Sequence, residues 1–139
     1  MARHGWPLWI CLLVLAACQS GQQRVAHIKA EDAIGPYSGA VMTGDYCFVS
    51  GQIGKQGGSV EEEAGAAIDN LEAELERAGL TLDDVVSCTV YLTDIVYYSY
   101  FNSVYAKRFK APYPARACVA VKALPAKARV EIQAIALRR

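Results

Sequence analysis

Between Val60 and Ala78 the residues Ala64, Ile68, Leu71, Leu75 and Ala78 recur at intervals of four, three, four and three. That spacing sets them on one stripe of an α-helix, and such a stripe has to be buried against another element. The helix has a start and a stop. Ser59 is a candidate N-cap, Glu61, Glu62 and Glu63 favour the positive end of the helix dipole, and Gly79 follows as a C-terminal terminator. The next apolar run is different in kind. Val85 to Leu92 reads Val-Val-Ser-Cys-Thr-Val-Tyr-Leu, rich in β-branched and aromatic residues, and suits a central strand.

The rest of the chain extends this pattern. Arg24 to Lys29 reads as a short strand, followed by a loop punctuated by Gly35-Pro36. Ala40 to Met42 and Tyr46 to Ser50 flank Thr43-Gly44-Asp45, a hairpin signal. Tyr98, Phe101, Tyr105 and Phe109 repeat at three, four and four, which predicts a second helix, with Thr93-Asp94 able to cap it and Pro112 and Pro114 beyond its end. Arg116 to Val121 and Arg129 to Leu137 complete the strands, separated by Lys122-Ala123-Leu124-Pro125. The order predicts a two-layer α+β domain, a mixed sheet with two helices packed on one face. The opposite face of that sheet needs cover of its own, which hints at oligomerisation.

A chain of 139 residues suits one domain. With 53% hydrophobic and 20% charged residues it is well away from disordered composition. Its formal net charge of +0 argues against a nucleic-acid partner, which calls for a basic excess or patch.

Residues 1–17 do not read as part of the fold. Arg3 gives a positive start, and Ile10 to Ala17 is an apolar run too short for the roughly 20 residues that span a bilayer. This is the pattern of a secretory signal. Leu15-Ala16-Ala17-Cys18 resembles the lipobox of bacterial lipoproteins. The resemblance implies cleavage before Cys18 and lipidation of its thiol, with residues 18–23 as the lipidated cysteine and a polar tether. The domain then spans 24–139 and is exported, held at the periplasmic side of a membrane or at the outer membrane. Cys47, Cys88 and Cys118 sit in apolar strand-like runs, where cysteine acts as a small hydrophobe, and no Cys/His spacing for a metal is visible.

Few residues carry obvious chemistry. Ser50 lies outside any nucleophile elbow, and the glycines 51, 54, 57 and 58 lack the setting of a phosphate loop. Two charges interrupt strands, Arg116 at the start of one and Glu131 within another. They read either as a salt bridge or solvated pair, or as an anion clamp beside a carboxylate that handles a proton. The pattern alone does not choose.

Six blocks resemble the reactive intermediate deaminase (Rid, or YjgF) family: Ala33-Ile34-Gly35-Pro36-Tyr37; Val49-Ser50-Gly51-Gln52-Ile53; Leu82 through Asp94; Asn102-Ser103-Val104-Tyr105; Pro114-Ala115-Arg116-Ala117-Cys118-Val119; and Leu124-Pro125 with Val130 to Ala136. The resemblance covers nearly all of residues 24–139. It implies a chorismate-mutase-like fold, a homotrimer with pockets between subunits, and hydrolysis of enamine/imine intermediates of the 2-aminoacrylate/2-iminopropanoate type to 2-keto acids and ammonia, without metal or organic cofactor. Carried over by position, Arg116 holds the substrate carboxylate and Glu131 positions or activates water. Tyr37, Ser50, Gly51, Asn102 and the Cys118 region line the pocket. Gly54, Ser38-Gly39, Ala117 and Tyr97 depart from the family's usual residues near that pocket, which bears on substrate more than on fold. A non-catalytic trimer that binds small carboxylates is the alternative reading.

Overall fold

The computed structural model describes residues 25–31 and 33–139. The expected leader, Cys18 and the tether lie outside the described residues.

Strands β1 (Val25–Lys29), β2 (Ser38–Thr43) and β3 (Tyr46–Ile53) precede helix α1 (Val60–Arg77). Strand β4 (Val85–Leu92), helix α2 (Tyr98–Arg108), and strands β5 (Ala115–Ala120) and β6 (Val130–Leu137) follow. The six strands form one sheet in the order β1-β2-β3-β6-β4-β5. Only β4 and β5 run parallel, joined through α2; every other neighbouring pair is antiparallel. This is the two-layer α+β arrangement that the sequence predicts.

Helix α1 begins as read. Ser59 accepts the Glu62 N–H and Glu62 returns a bond to the Ser59 N–H, closing a capping box. Gly79, at φ +73°, lets the chain leave through a bond from Leu80 N–H to the Leu75 carbonyl. Ala64, Ile68, Leu71 and Leu75 are completely buried, and each of the three large ones contributes about 1.5–3 kcal/mol of apolar burial. They meet Val49 of β3, Val90 and Leu92 of β4, and Val130 and Ile132 of β6 in one core that also takes Phe101, Tyr105 and Phe109 from the second helical stripe. The hairpin turn is tighter than expected. Thr43 pairs with Tyr46, so Gly44-Asp45 alone makes the turn, with Gly44 at φ +56°.

Two acids of α1 are buried. Glu63 lies in the first turn, as read. It is fully buried, and it accepts the Arg129 N–H at 2.5 Å and the Arg129 Nε at 2.7 Å. Glu74, one of the polar positions of the same helix, is also buried and pairs with Arg77.

The burial alternation along the strands separates the two faces. Val130, Ile132, Ala134 and Ala136 of β6 turn toward the helices, and Glu131, Gln133, Ile135 and Leu137 turn away. Tyr46, Phe48 and Val119 stay exposed in the protomer.

Candidate active site

Arg116 belongs to the helix side of the sheet. It pairs in register with Cys88, which is buried under α2. Its guanidinium lies 4.5 Å from the centroid of the Tyr105 ring, with Phe101 at 5.7 Å and Tyr98 at 5.8 Å. These are cation–π distances. One nitrogen donates to Asn102 Oδ1 at 2.7 Å. Among the described residues no carboxylate forms an ion pair with Arg116. The fork is therefore oriented by one amide and a wall of rings, while most of its five N–H donors stay available. Asn102, Tyr105, Tyr113 and Arg116 line a cavity of about 370 Å³.

Below this cavity the Tyr105 hydroxyl donates to Cys88 Sγ at 3.8 Å. Burial pushes the Cys88 thiol up to about 11, against the opposing pull of that hydrogen bond and of Arg116. Cys88 is thus a packed thiol rather than a nucleophile at neutral pH. Cys118, two residues beyond Arg116, is half-buried and packs against the core. Burial raises its thiol as well. It lines neither the Arg116 cavity nor the Glu131 cavity described next, contrary to the expectation for that region.

Glu131 occupies the other face. It pairs with Tyr91 of β4 and Ile53 of β3. The β3–β6 register shifts between Val49 and Gln52, so Ser50 and Gly51 form an irregular step beside it. A Cβ on Gly51 would overlap the Glu131 carboxylate, so the glycine leaves the space that the acid fills. Ser50 donates its hydroxyl to the Ser38 carbonyl at 2.7 Å, and the Tyr37 hydroxyl accepts the Ile34 N–H at 3.4 Å. Glu131, Tyr37, Ser50 and Gly51 line a second cavity of about 460 Å³ with Ile34, Ile53 and Pro125. Burial raises the Glu131 carboxyl above the ordinary carboxylate range. Both cavities fall in the size range of small-molecule sites, roughly 300–1,000 Å³.

The structure thus gathers the expected residues into two groups, not one. Tyr37, Ser50, Gly51 and Glu131 are together, and Asn102 and Arg116 are together. Their partners on β4, Tyr91 and Cys88, are three residues apart, and β6 and β5 flank β4 on either side. Strand geometry then separates the two Cα atoms by roughly 14 Å, with the side chains on opposite faces. Within one protomer the two are too far apart for a salt bridge. The aromatic wall around Arg116 was not expected as a site feature. Its only sequence signal was the helical spacing of Tyr98, Phe101 and Tyr105, which reports a buried face and not what lies beneath it.

Comparison with known proteins settles the family. The family model described as Endoribonuclease L-PSP, to which the Rid/YjgF proteins belong, matches residues 27–138. The chain belongs to this family. A RutC family protein, y4sK, of Sinorhizobium fredii is 44% identical over 113 residues, covering 76% of this chain and 90% of the relative. The human 2-iminobutanoate/2-iminopropanoate deaminase is 40% identical over 121 residues, covering 82% and 88%. A crystal structure of a yeast protein, YEO7, superposes with a TM-score of 0.80 at 38% identity, covering 84% of this chain and all of that one. Relatives named as imine deaminases at this identity support an enzyme within the Rid family.

Proposed function

We propose that this Rid-family chain is a hydrolytic deaminase of 2-imino acids, acting as a homotrimer whose sites are shared between neighbouring copies. The observation that carries the reading is the separation of Arg116 and Glu131. Each sits in its own half-open cavity, on opposite faces of one sheet, and the apolar face beside Glu131 is uncovered in the protomer. A second copy that covers this face and brings its own Arg116 to Glu131 completes one pocket from two halves.

The chemistry asks mainly for positioning. The Arg116 fork receives the substrate carboxylate in two parallel hydrogen bonds, with Asn102 holding the guanidinium plane. Glu131 takes a proton from water as the water oxygen bonds to the imine carbon. The resulting tetrahedral carbon carries a hydroxyl and an amine. With the imine nitrogen protonated from the start, Glu131 returns the proton to nitrogen, the C–N bond breaks, ammonia leaves with the bonding pair, and Glu131 takes the hydroxyl proton as the carbon becomes the carbonyl of a 2-keto acid. No step needs a nucleophilic side chain, an oxidant or a reductant. The ribonuclease activity in the family's description would call for a cationic surface, and the chain is neutral with one unpaired arginine in its site.

The test is an assay in which an amino-acid oxidase generates 2-iminopropanoate in situ and keto-acid release is followed with and without the protein. Acceleration is expected, and Arg116→Ala should abolish it. Arg116→Lys should also do poorly, because a point charge does not reproduce the fork. A folded trimer that gives no acceleration but binds 2-keto acids would establish a carboxylate-binding protein instead.

The proposal extends to location. The lipobox-like Leu15-Ala16-Ala17-Cys18 supports export and lipid anchoring through Cys18, which would set the domain at a membrane surface.

A further inference from the structure

Of the two buried acids of α1, only one has its hydrogen bonds complete. Both Glu63 oxygens accept from Arg129. Glu74 pairs through one oxygen with Arg77, and its Oε2 accepts no hydrogen bond although it is closed off from solvent. An unpaired carboxylate oxygen in such a place costs free energy that a donor would offset. The backbone makes room for the acid, since a Cβ on Gly39 would overlap the Glu74 carboxylate. Glu74 lines a cavity of about 230 Å³ between α1 and the loop after β1, together with Glu31, Gln52, Asn70 and Arg77. None of these five lines the Glu131 cavity, although Ile34, Tyr37, Gly51 and Ile53 form a wall common to both. Gln52 pairs with Ile132, whose side chain turns toward the helices, so this cavity lies on the helix side of the sheet and Glu131 on the other.

The polar groups of this cavity are mostly acceptors. Asn70 donates from Nδ2 to the Ile53 carbonyl at 2.8 Å, and Gln52 donates from Nε2 to the Ser50 carbonyl at 3.1 Å, so each amide has used a donor and kept its oxygen. Arg77 is already held by Glu31 at 3.1 Å and by Glu74, which makes it a poor receptor for an added anion. Among the described residues the lining charges are two carboxylates and one guanidinium, one negative in excess. A cation that brings several N–H donors answers both the charge and the unpaired oxygen. Size narrows the ligand further. At roughly 30 Å³ for a water-sized group, the cavity takes about seven or eight non-hydrogen atoms. We infer that this cavity is a second binding site, for a primary ammonium group on a short aliphatic chain, with Glu74 as its principal acceptor. Ala30, Ala33 and Ala73 give the chain apolar contact.

The probe is n-butylammonium chloride, titrated into the full-length protein and followed by backbone amide NMR shifts. Saturable shifts at Asn70, Glu74 and Arg77 are expected, with a Kd on the order of 1 mM, within reach of so small a ligand. Tetramethylammonium carries the charge without N–H donors, and potassium carries the charge alone. At equal ionic strength each should bind about tenfold more weakly or less. Butyrate, the matching anion, should not bind here. Glu74→Gln keeps the shape and removes the charge, and should weaken n-butylammonium about tenfold or more. Glu31→Gln, at an exposed position, should weaken it about twofold. If the Glu74→Gln chain does not fold, the ligand series on the unaltered protein decides by itself. Equal response to n-butylammonium and tetramethylammonium, tighter binding of butyrate, or shifts confined to the Glu131 face would each overturn the inference. So would the lack of any saturable shift, or a folded Glu74→Gln variant that binds n-butylammonium undiminished.

Discussion

Arg116 and Glu131 lie on opposite faces of one sheet, in strands that flank β4 on either side. If they serve one substrate, they do so from different copies of the chain. Two inactive variants should therefore rescue each other. Arg116→Ala and Glu131→Gln, co-expressed in equal amounts, should assemble with about a quarter of the sites intact, since each site draws one residue from each of two neighbours. Activity in the mixture, absent from either variant alone, is the expected result. No recovery in a mixed trimer of proven composition would show that the site is not shared.

The acid at residue 131 should cost stability where it is charged. Burial raises its carboxyl in the folded state. Between the unfolded and folded pKa values the folded chain binds the extra proton, so this group's contribution to stability declines as pH rises through that window. The destabilisation is full above the folded value and vanishes below the unfolded one. Glu131→Gln should therefore raise Tm at neutral pH while removing catalysis, and its advantage should close as pH falls through the ordinary carboxylate range. Thermal melts across pH 4–8 check the sign. The wild-type rate should fall on the acid side of the same raised pKa, as Glu131 loses its role as base.

Gly51 makes room for that acid. An alanine there would push the Glu131 carboxylate out of position rather than disrupt backbone packing, because the overlapped atoms are the end of a flexible side chain. Gly51→Ala should lower kcat/KM on the order of a hundredfold, as expected when a reacting group is displaced by about an ångström. Tm should move by only a few degrees. A variant with normal turnover would dissociate Gly51 from the placement of Glu131.

Glu63 anchors the start of β6 two residues before Glu131. Its buried carboxylate holds both the backbone N–H and the Nε of Arg129, which also donates to the Gly58 carbonyl. Glu63→Ala leaves those donors without their acceptor, and removing one partner of a buried pair costs about 3–5 kcal/mol. Urea denaturation should show a loss of that size. Glu63→Gln, which keeps an acceptor for the Arg129 N–H, should lose less.

Lipid anchoring makes a separate prediction. Cys18→Ala should release the protein from the membrane fraction, while the wild type pellets with membranes as a shortened, lipidated form. A Cys18→Ala protein that still pellets with membranes would end the lipobox reading.

Much of this was legible in the chain. Periodicity gave both helices and most strand bounds, because burial of one face forces apolar residues to repeat at the spacing of the element. Ser59 and Gly79 marked the ends of α1, because capping chemistry is local. The same local logic placed Glu63 in the first turn but gave no sign of its partner. An acid in the first turn is favourable with or without a partner, and the partner, Arg129, is 66 residues away.

The sequence by itself determined the elements, their order and the two-layer class, because each of these is set by neighbours within a few positions. Only the tertiary structure decided which residues share a cavity. Face and register are products of strand pairing, and pairing joins segments distant along the chain. A motif places Arg116 and Glu131 in the same sheet. The pairing of β6 and β5 with β4 puts them on opposite sides of it, in two separate cavities.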